Sequence, residues 1–476
     1  PDGTGTAANY TPTANPDLAP YGGTDSIQFL AQTPESGFEM WRLGSDGSLV
    51  QISNGNYPPV QGAPDPLKIG NTMYFNAIAP NGQHQIVFNT ADHGRGGFST
   101  NLNVAGGGIV VSEWIEFDGA LYFRAAPVNP ATAEVGFNAG IFRLDGATGT
   151  PLRITDEAPG GDPLGFFGPT IVNGRLTYAA QDPTETVAAG QFAFEVYALE
   201  AAAVDPIKIT VTTLVGSSYP NAPTVVLGNS SYFVAVDKVT GSHQLYKLTV
   251  PADLGATTVV KLTSINEIPD HGMVVDDMIV VGDKIFLKTP VYLAANDPSN
   301  LGGDNGGLFV YDTASGITTR LSDDGNPATP QGFYLPGVIG GVLYWGAFSE
   351  SEGPGSWHLD PVGGQLVFQP NGYLGANSDA SAVYADKIYW NGNSLLDGTG
   401  IGQVYAFDPV DGSDVPLTSL NSANGGIVVT NFFEMGGALY IHAQERIPGT
   451  GYAAGIFKLD AANPLGAVRI PDESQP

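Results

Sequence analysis

The chain has 476 residues, of which 47 are acidic and 18 are basic, so its formal net charge is −29. A field of this sign repels phosphate backbones and anionic lipid surfaces, and we expect no nucleic-acid partner. The sequence contains no cysteine, which excludes disulfides, zinc–thiolate sites, Fe–S clusters and cysteine nucleophiles. Its 42% of apolar residues and 64 glycines predict a folded core connected by many turns.

A short apolar strand around an aromatic residue recurs nine times, about fifty residues apart. In chain order these strand cores are Ile27–Phe29, Met73–Phe75, Leu121–Phe123, Leu176–Tyr178, Ser231–Phe233, Ile285–Leu287, Leu343–Trp345, Ile388–Trp390 and Leu439–Ile441. A second strand ending in a turn follows each core. The pattern predicts an all-β fold, a single β-propeller of four-stranded blades. We expect nine blades, with eight as the alternative because propellers usually have roughly four to eight.

The repeat predicts one domain over residues 1–476, with an N-terminal extension at 1–17 and the nine repeats at 18–476. The segment Leu18–Gly23 fits the first strand of the first unit, and the last unit ends with a strand at Ile470. Both terminal units are therefore complete. We expect the first blade to pack against the ninth and close the ring.

Short turns join the first and second strands of the units. Their central residues are Gly70-Asn71, Asp118-Gly119, Asn173-Gly174, Gly228-Asn229, Gly282-Asp283, Gly340-Gly341, Ala385-Asp386 and Gly436-Gly437. These dipeptides are typical of tight hairpins. The fourth strands carry single cations, as in Leu152–Thr155 and Ile207–Thr210, which we expect on the outward side of the strand, where charge discourages pairing between molecules.

No apolar run approaches the roughly twenty residues of a membrane helix, so we expect no transmembrane segment. The chain begins Pro1-Asp2-Gly3 without a signal-like apolar region. We interpret it as a mature, exported form from which any leader has been removed; a fragment of a longer surface protein has the same pattern.

The segment Glu39–Leu49, with Gly70–Ala77 after it, resembles the ELWxxDGT (hyalin-like) surface repeat of bacteria, in which that motif precedes a G-x-x-L-Y-F-x-A segment. The other units keep only the spacing, as in Gly140–Gly146. The resemblance implies an exported β-propeller repeat protein with an extracellular or cell-surface location and an adhesive context. It implies no catalytic residue, since the motif forms turns and packing contacts.

The connections from second to third strands, and those between units, are long and irregular. We expect second-to-third loops at 124–139, 180–194, 288–306, 346–355, 391–402 and 443–454. Because the turns at the other end are short, binding is expected at this end, which we call the long-connection end. Its candidate ligand-binding residues are Tyr292, Phe348, Tyr373, Tyr452, Asp304, Asp270 and His271.

Two acidic groups are candidate metal sites: Asp408, Asp411 and Asp414, and Asp156, Glu157 and Asp162. Calcium takes six to eight oxygen ligands, many of them from carboxylates, so Ca²⁺ is the expected cofactor if there is one. The alternative is ordinary turns, since the first group lacks the spacing of a calcium loop. No nucleotide-binding loop is present, and no nucleotide cofactor is expected.

No Ser-His-Asp arrangement or paired-carboxylate group stands out, and no catalytic residue is predicted. His93 and Arg95 lie in a glycine-rich turn that we expect at the opposite end from His271, beyond the reach of one acid–base pair.

The sequence thus predicts a non-enzymatic extracellular or cell-surface propeller, a binding, adhesion or assembly module that acts through its acidic long-connection end, with calcium stabilisation in one interpretation. The expected partners are a surface protein, a glycan or another copy of the chain in a homo-oligomer or assembly. Two alternatives stay open: a secreted carbohydrate-active enzyme, either a glycoside hydrolase or a lyase, and a structural subunit of an extracellular filament or surface assembly.

Overall fold

The computed structural model describes the chain between residues 19 and 470. Within these limits the description leaves out residues 22–25, 34–36, 47, 52–57, 59, 61–62, 65, 80, 91–95, 147–148, 159–161, 189–190, 202, 204, 210–213, 216–223, 238, 252–253, 255–256, 266–271, 290–306, 323–328, 362–363, 370–380, 394–401, 419–425, 448–450 and 461–462.

The described residues form nine small antiparallel sheets, eight with four strands and one with five. A single turn of 3₁₀ helix at Pro130–Thr132 starts at Asn129, whose side chain accepts the N–H of Ala131. The all-β prediction is confirmed, and so is the division into nine small sheets. We number the sheets one to nine in chain order.

Sheets one to three occupy the first part of the chain. Sheet one has β1 (Ala19–Tyr21), β2 (Ser26–Thr33), β3 (Gly37–Gly44) and β4 (Leu49–Gln51). Sheet two has β5 (Leu67–Ile69), β6 (Thr72–Ile78), β7 (His84–Thr90) and β8 (Gly96–Phe98). Sheet three has β9 (Ile109–Phe117), β10 (Ala120–Pro127), β11 (Gly140–Leu144) and β12 (Leu152–Arg153).

Sheets four to six follow. Sheet four has β13 (Leu164–Val172), β14 (Arg175–Ala188), β15 (Gln191–Leu199) and β16 (Ile207–Lys208). Sheet five has β17 (Leu214–Val215), β18 (Thr224–Leu227), β19 (Ser230–Asp237), β20 (His243–Thr249) and β21 (Thr258–Lys261). Sheet six has β22 (Asp277–Val281), β23 (Lys284–Thr289), β24 (Gly307–Asp312) and β25 (Ile317–Arg320).

Sheets seven to nine complete the chain. Sheet seven has β26 (Gln331–Ile339), β27 (Val342–Ser349), β28 (Gly353–Leu359) and β29 (Leu366–Gln369). Sheet eight has β30 (Ser381–Tyr384), β31 (Lys387–Asn393), β32 (Gly402–Asp408) and β33 (Ser413–Pro416). Sheet nine has β34 (Ile427–Met435), β35 (Ala438–Ile447), β36 (Gly451–Asp460) and β37 (Asn463–Arg469).

The predicted hairpin turns have the backbone that their residues favour. Asn173 and Gly174 both have positive φ, at 49° and 72°, between β13 and β14. Ala385 and Asp386, at 47° and 59°, do the same between β30 and β31. Positive φ at both central positions matches the twist of a two-residue hairpin. These turns fix the register of the first two strands in their sheets.

Three of the predicted loops between second and third strands are not loops. In sheet four, β14 and β15 extend as a hairpin to Ala188 and Gln191, with two irregularities in their register. In sheet seven only residues 350–352 separate β27 from β28, and in sheet nine β35 and β36 run on to Ile447 and Gly451.

Two compact units divide the chain. The first comprises residues 1–56, 297–308 and 320–476, and holds sheets one, seven, eight and nine. The second comprises residues 57–296 and 309–319, and holds sheets two to five and most of sheet six. The expectation of a single domain stays a prediction.

Within each unit the sheets meet along their first strands. In the second unit β5, β9, β13, β18 and β22 contact one another in this order, and in the first unit β26, β30, β34 and β1 do so. The main neighbour of each fourth strand is the third strand of its own sheet. The sheets therefore converge at their first strands.

Apolar side chains fill the space between adjacent sheets. In the second unit Tyr122 and Ile141 of sheet three form one buried cluster with Tyr178 and Leu199 of sheet four. The rings of Tyr178 and Phe166 are 4.9 Å apart within this cluster. Both faces of an inner sheet are covered in this way, which explains the dense apolar content of the strand cores.

In the first unit, sheet one packs against sheet nine. Leu43 of β3 is fully buried in a cluster with Phe433, Met435 and Tyr440 of sheet nine. The Tyr440 hydroxyl donates to the carbonyl of Ser45 at 3.4 Å. The predicted contact between the first and the last sequence repeats is thus present.

None of the helices in the part of the chain described above is long and apolar enough to cross a membrane.

Leu43→Ala should lower the free energy of unfolding by about 2–5 kcal/mol, because it opens a cavity between sheets one and nine. Urea unfolding followed by tryptophan fluorescence measures the change. Leu152→Ala, at a half-exposed position on β12, is the matched control and should cost much less. Equal losses in the two variants would show that the contact between sheets one and nine adds little.

His442 of β35 makes stability depend on pH. The side chain is 6% exposed, and its Nδ1 lies 2.5 Å from Thr430 Oγ1. Burial lowers the pKa of His442 from 6.5 to about 4. Between these values the unfolded state binds more protons, so this contribution is fully present above pH 6.5 and lost as the pH falls towards 4.

Folded wild type should therefore lose on the order of 3 kcal/mol from this residue between pH 7 and pH 4. His442→Gln, which cannot titrate, should flatten the curve of unfolding free energy in this window. Urea titrations at half-unit pH steps measure it, and the difference between pH 7 and pH 8 serves as the internal control. The same slope in both proteins would contradict the assignment.

Candidate functional site

A repeated polar network locks the long-connection end of the sheets. Gln85, Gln244 and Gln403 each stand near the start of a third strand, and their Oε1 atoms accept a threonine hydroxyl from beyond the fourth strand. The donors are Thr100 at 2.7 Å, Thr263 at 2.8 Å and Thr418 at 2.7 Å. The same hydroxyls accept main-chain N–H groups of the third strands, as from Leu245 at 2.9 Å. The network is structural and leaves these groups no free chemistry.

Sheet four carries a carboxylate at the corresponding place. Glu195 is fully buried, and its Oε1 lies 3.8 Å from the ammonium of Lys208 on β16. Lys208 also bonds Asp182 Oδ2 at 3.0 Å and Glu185 Oε1 at 2.5 Å. Burial acts to lower the pKa of Lys208, but the bonds to Glu185 and Asp182 outweigh it and raise the pKa. The ammonium therefore stays charged and acts as the internal counterion of three carboxylates.

Sheet five repeats this arrangement with fewer acids. Lys261 on β21 lies 3.1 Å from Asp237 Oδ2, which also accepts the hydroxyl of Tyr246 at 3.1 Å. Burial acts to raise the pKa of Asp237, but N–H groups of Thr240 and Val239 together with Lys261 lower it to about 2. In both sheets the lysine stands directly opposite a tyrosine of the neighbouring strand, which is Tyr197 of β15 in sheet four and Tyr246 of β20 in sheet five. The recurrence indicates a packing device of the repeat.

The cations of the fourth strands are thus not on the outward side, and this part of the prediction was wrong. Arg153 lies over the rings of Phe142 and Phe137, at 4.9 and 5.4 Å from their centroids. The outward positions hold aliphatic residues instead, among them Leu152 and Ile207. Cations turn inward because third-strand aromatics and nearby carboxylates attract them.

The candidate metal group of Asp156, Glu157 and Asp162 forms ion pairs and turn contacts. Glu157 forms a two-bond pair with Arg124, at 2.7 Å for each bond, and also accepts the N–H of Gly165 at 2.9 Å. Asp156 pairs with Arg153 at 3.0 Å, and Asp162 accepts the N–H of Asp156 at 2.8 Å. The three carboxylates lie in one connection but have different partners.

The candidate group of Asp408, Asp411 and Asp414 spans the end of β32, the following turn and the beginning of β33. Asp408 pairs with Lys387, Asp411 accepts the N–H of Ser413 at 2.8 Å, and Asp414 accepts the indole N–H of Trp390 at 3.1 Å. Among the described residues, no three His, Cys, Asp or Glu side chains are placed to hold a metal ion. The calcium site stays a prediction.

Most of the candidate ligand-binding residues lie outside the described residues. These are Tyr292, Asp304, Asp270, His271 and Tyr373. His93 and Arg95 of the glycine-rich turn also lie outside the described residues. Tyr452 belongs to β36 opposite Arg446, but the position of its side chain is not described. Phe348 is at the long-connection end of β27 and is 45% exposed.

Sequence reasoning missed Tyr334, a second exposed aromatic of sheet seven. It is 43% exposed on β26 and lies opposite Gly346. Its ring rests on Gly332, whose φ is +90° and whose substitution by alanine would place a Cβ 2.3 Å from Tyr334 Cε2. Sheet four has the same sequence pattern at Gly165–Phe167. A comparison of the two units would have found this position.

A row of aliphatic residues, two of them exposed, was also missed. Ile171, Val226 and Val280 each stand on a first strand opposite the first residue of the strand core. Ile171 and Val226 are 42% and 39% exposed, and Val280 is partly buried. Since β13, β18 and β22 are neighbours, we call these three the first-strand row. The equal register of these three residues could be predicted from the sequence repeat, but their exposure could not.

No family model matches the chain, and no curated protein does. Solved structures that are similar include puromycin hydrolase, at 14% identity and TM-score 0.40, with 83% of this chain and 58% of that one covered. A Mycobacterium tuberculosis puromycin-hydrolyzing peptidase is 12% identical, with 83% and 59% covered and a TM-score of 0.39. A prolyl endopeptidase is 12% identical, with 83% and 55% covered and a TM-score of 0.40. The chain spans less than two thirds of these proteins.

At these identities the likeness concerns the fold alone. The prediction of a non-enzymatic adhesion or assembly module was wrong, since the similar structures are those of puromycin hydrolase and prolyl endopeptidase. The error has a physical cause: a propeller scaffold hosts unrelated functions, so the lack of a catalytic motif could not exclude an enzymatic role.

Lys208→Met should lower the free energy of unfolding by about 3–5 kcal/mol, because it leaves Asp182, Glu185 and the buried Glu195 without their shared cation. Urea unfolding at pH 7 measures the loss. The matched control is Lys247→Met, which removes a lysine 5.7 Å from the Tyr232 ring and should cost less than about 1 kcal/mol. A loss no larger than the control's would contradict the counterion role.

Proposed function

We propose that the nine sheets close into a nine-bladed propeller and that the chain binds peptide segments along its first strands. Closure is supported by the contacts between successive first strands within each unit and by the packing of Leu43 in sheet nine. The first strands then surround the centre of the ring. The single observation that carries the binding role is the first-strand row.

Exposed aliphatic side chains in a contiguous set mark interaction surfaces, since isolated ones need no explanation but a row costs hydration free energy. Ile171 and Val226 satisfy this condition on adjacent strands. The partly exposed Thr224, two residues from Val226, shares its face of β18 and offers a hydroxyl group. A ligand with alternating apolar side chains and backbone polar groups matches such a surface, and a peptide is the common polymer of this kind.

The first unit has its own set of exposed aliphatic residues at the same register. Val338 and Val383 lie opposite Leu343 and Ile388, and Gly337 lets β26 approach β30 closely, because a Cβ there would be 3.1 Å from Val383 Cγ2. The proposal rests on these surfaces and not on the remote likeness to peptidases. It leaves open whether a reaction follows binding.

The net charge of −29 decides which peptides are favoured, because it repels acidic segments and attracts cationic ones. Calcium stabilisation and an extracellular or cell-surface location also stand as proposals. They are supported by the acidic composition and by the resemblance of Glu39–Leu49 to the ELWxxDGT repeat.

The test is fluorescence anisotropy with three fluorescein-labelled hexapeptides: one of leucine and proline, one of serine and glycine, and one of leucine and glutamate. The leucine–proline peptide should bind and the other two should not. Ile171→Ser with Val226→Ser should weaken binding roughly thirtyfold, since each change removes about 1 kcal/mol of apolar contact.

The matched control makes the same two changes elsewhere. Val239→Ser with Val410→Ser replaces two turn valines that are 93% and 91% exposed, and it should bind like the wild type. Thermal unfolding confirms that each variant is folded. Unchanged affinity in the first-strand variant, or equal binding of all three peptides, would falsify the proposal.

A further inference from the structure

An exposed apolar surface with no cation of its own lies on sheet seven. It consists of Tyr334 on β26, Phe348 on β27 and Pro354 on β28, all exposed. Phe348 pairs with Pro354, while Tyr334 pairs with Gly346, two residues along the strand from Phe348. Residues two apart share a face, so the three side chains lie on one side of the sheet. We call this surface the sheet-seven shelf.

The shelf is a platform whose rings are half open. One face of the Tyr334 ring is covered by the backbone of its own strand, since the ring rests on Gly332, whose φ is +90°. Gly346 adds no side chain between Tyr334 and the third strand. An aromatic face supported from below and open above can accept a cation or a flat group.

Sheet four shows what a closed version of this surface looks like. There the equivalent aromatic, Phe167, packs against Phe194 with ring centroids 5.7 Å apart. Phe194 pairs with Gln181 as Pro354 pairs with Phe348, so proline stands in sheet seven where a covering ring stands in sheet four. Phe348 also stands where sheet four has Gln181, so the exposure of Tyr334 comes from local residue differences and not from the general architecture.

No lysine or arginine occurs between Arg320 and Lys387. Glu350 and Glu352 are exposed in the turn beside the shelf, and Ser349 Oγ fixes that turn by accepting the N–H of Glu352 at 3.2 Å.

We propose that the sheet-seven shelf binds the arginine or lysine side chain of a peptide. The cation would lie over Tyr334 and Phe348 and face Glu350 and Glu352. Charge complementarity selects this occupant, since aromatic faces and carboxylates both attract cations and the segment supplies none itself. The inference rests on the proposed peptide binding and names the side chain that this subsite recognises.

The experiment compares two fluorescein-labelled heptapeptides of alanine and glycine, one with a central arginine and one with citrulline, by fluorescence anisotropy at low salt. The arginine peptide should bind roughly tenfold more tightly, and added salt should reduce the difference. Glu350→Gln with Glu352→Gln should remove most of the preference. Asp118→Asn with Asp386→Asn, which alters two exposed carboxylates in hairpin turns at the other end of the sheets, is the matched control and should retain it.

A second pair of variants tests the rings without a loss of apolar bulk. Tyr334→Phe keeps the aromatic face and should bind the arginine peptide like the wild type. Tyr334→Leu should weaken it by roughly threefold to fivefold.

Equal binding of both peptides, no effect of the two glutamine changes, or displacement of the arginine peptide by low Ca²⁺ would each overturn the proposal, the last by assigning the carboxylates to a metal. Binding of the leucine–proline peptide distinguishes the two proposals. If the wild type binds it but shows no preference for the arginine peptide, only the shelf assignment has failed; if the wild type does not bind it, peptide binding at the first-strand row has failed.

Discussion

The structure depends on one constraint: no sheet can bury its two apolar faces alone. Tyr122 and Ile141 are fully buried only because Tyr178 and Leu199 of the next sheet complete their cluster. Four short strands offer too little area for a core of their own, so stability comes from the contact between sheets. Repetition follows from this constraint, because each added sheet covers its predecessor and exposes a new apolar face.

Packing of this kind brings main-chain groups together at the sheet junctions, and polar side chains satisfy them. Asn76 donates to the carbonyl of Gln85 and accepts the N–H of Val111 from the next sheet, at 3.1 and 3.3 Å. Arg124 reaches the next sheet through Glu157, which accepts the N–H of Gly165. Part of the acidic charge therefore belongs to the fold, and a carboxylate in a connection is a weak sign of a metal or ligand site.

Local chemistry made much of the fold readable from the sequence. Turn dipeptides such as Asn173-Gly174 and the spacing of the strand cores located the hairpins and the nine sheets. The site was less readable, because exposure depends on a partner from another strand. Phe167 and Tyr334 follow the same Gly-Phe pattern, yet one is covered by Phe194 and the other lies beside Pro354. Function was predicted wrongly because the scaffold does not determine it.

The contact of Leu43 with sheet nine has a consequence for how the chain reaches its folded state. The bond between Tyr440 and Ser45 joins residues 395 positions apart. During synthesis sheet one leaves the ribosome long before sheet nine has been made. One apolar face of sheet one therefore stays exposed to water until the last repeat is synthesised. Closing so long a loop is entropically slow. The first sheet is thus the part of the newborn chain most in need of protection by a chaperone.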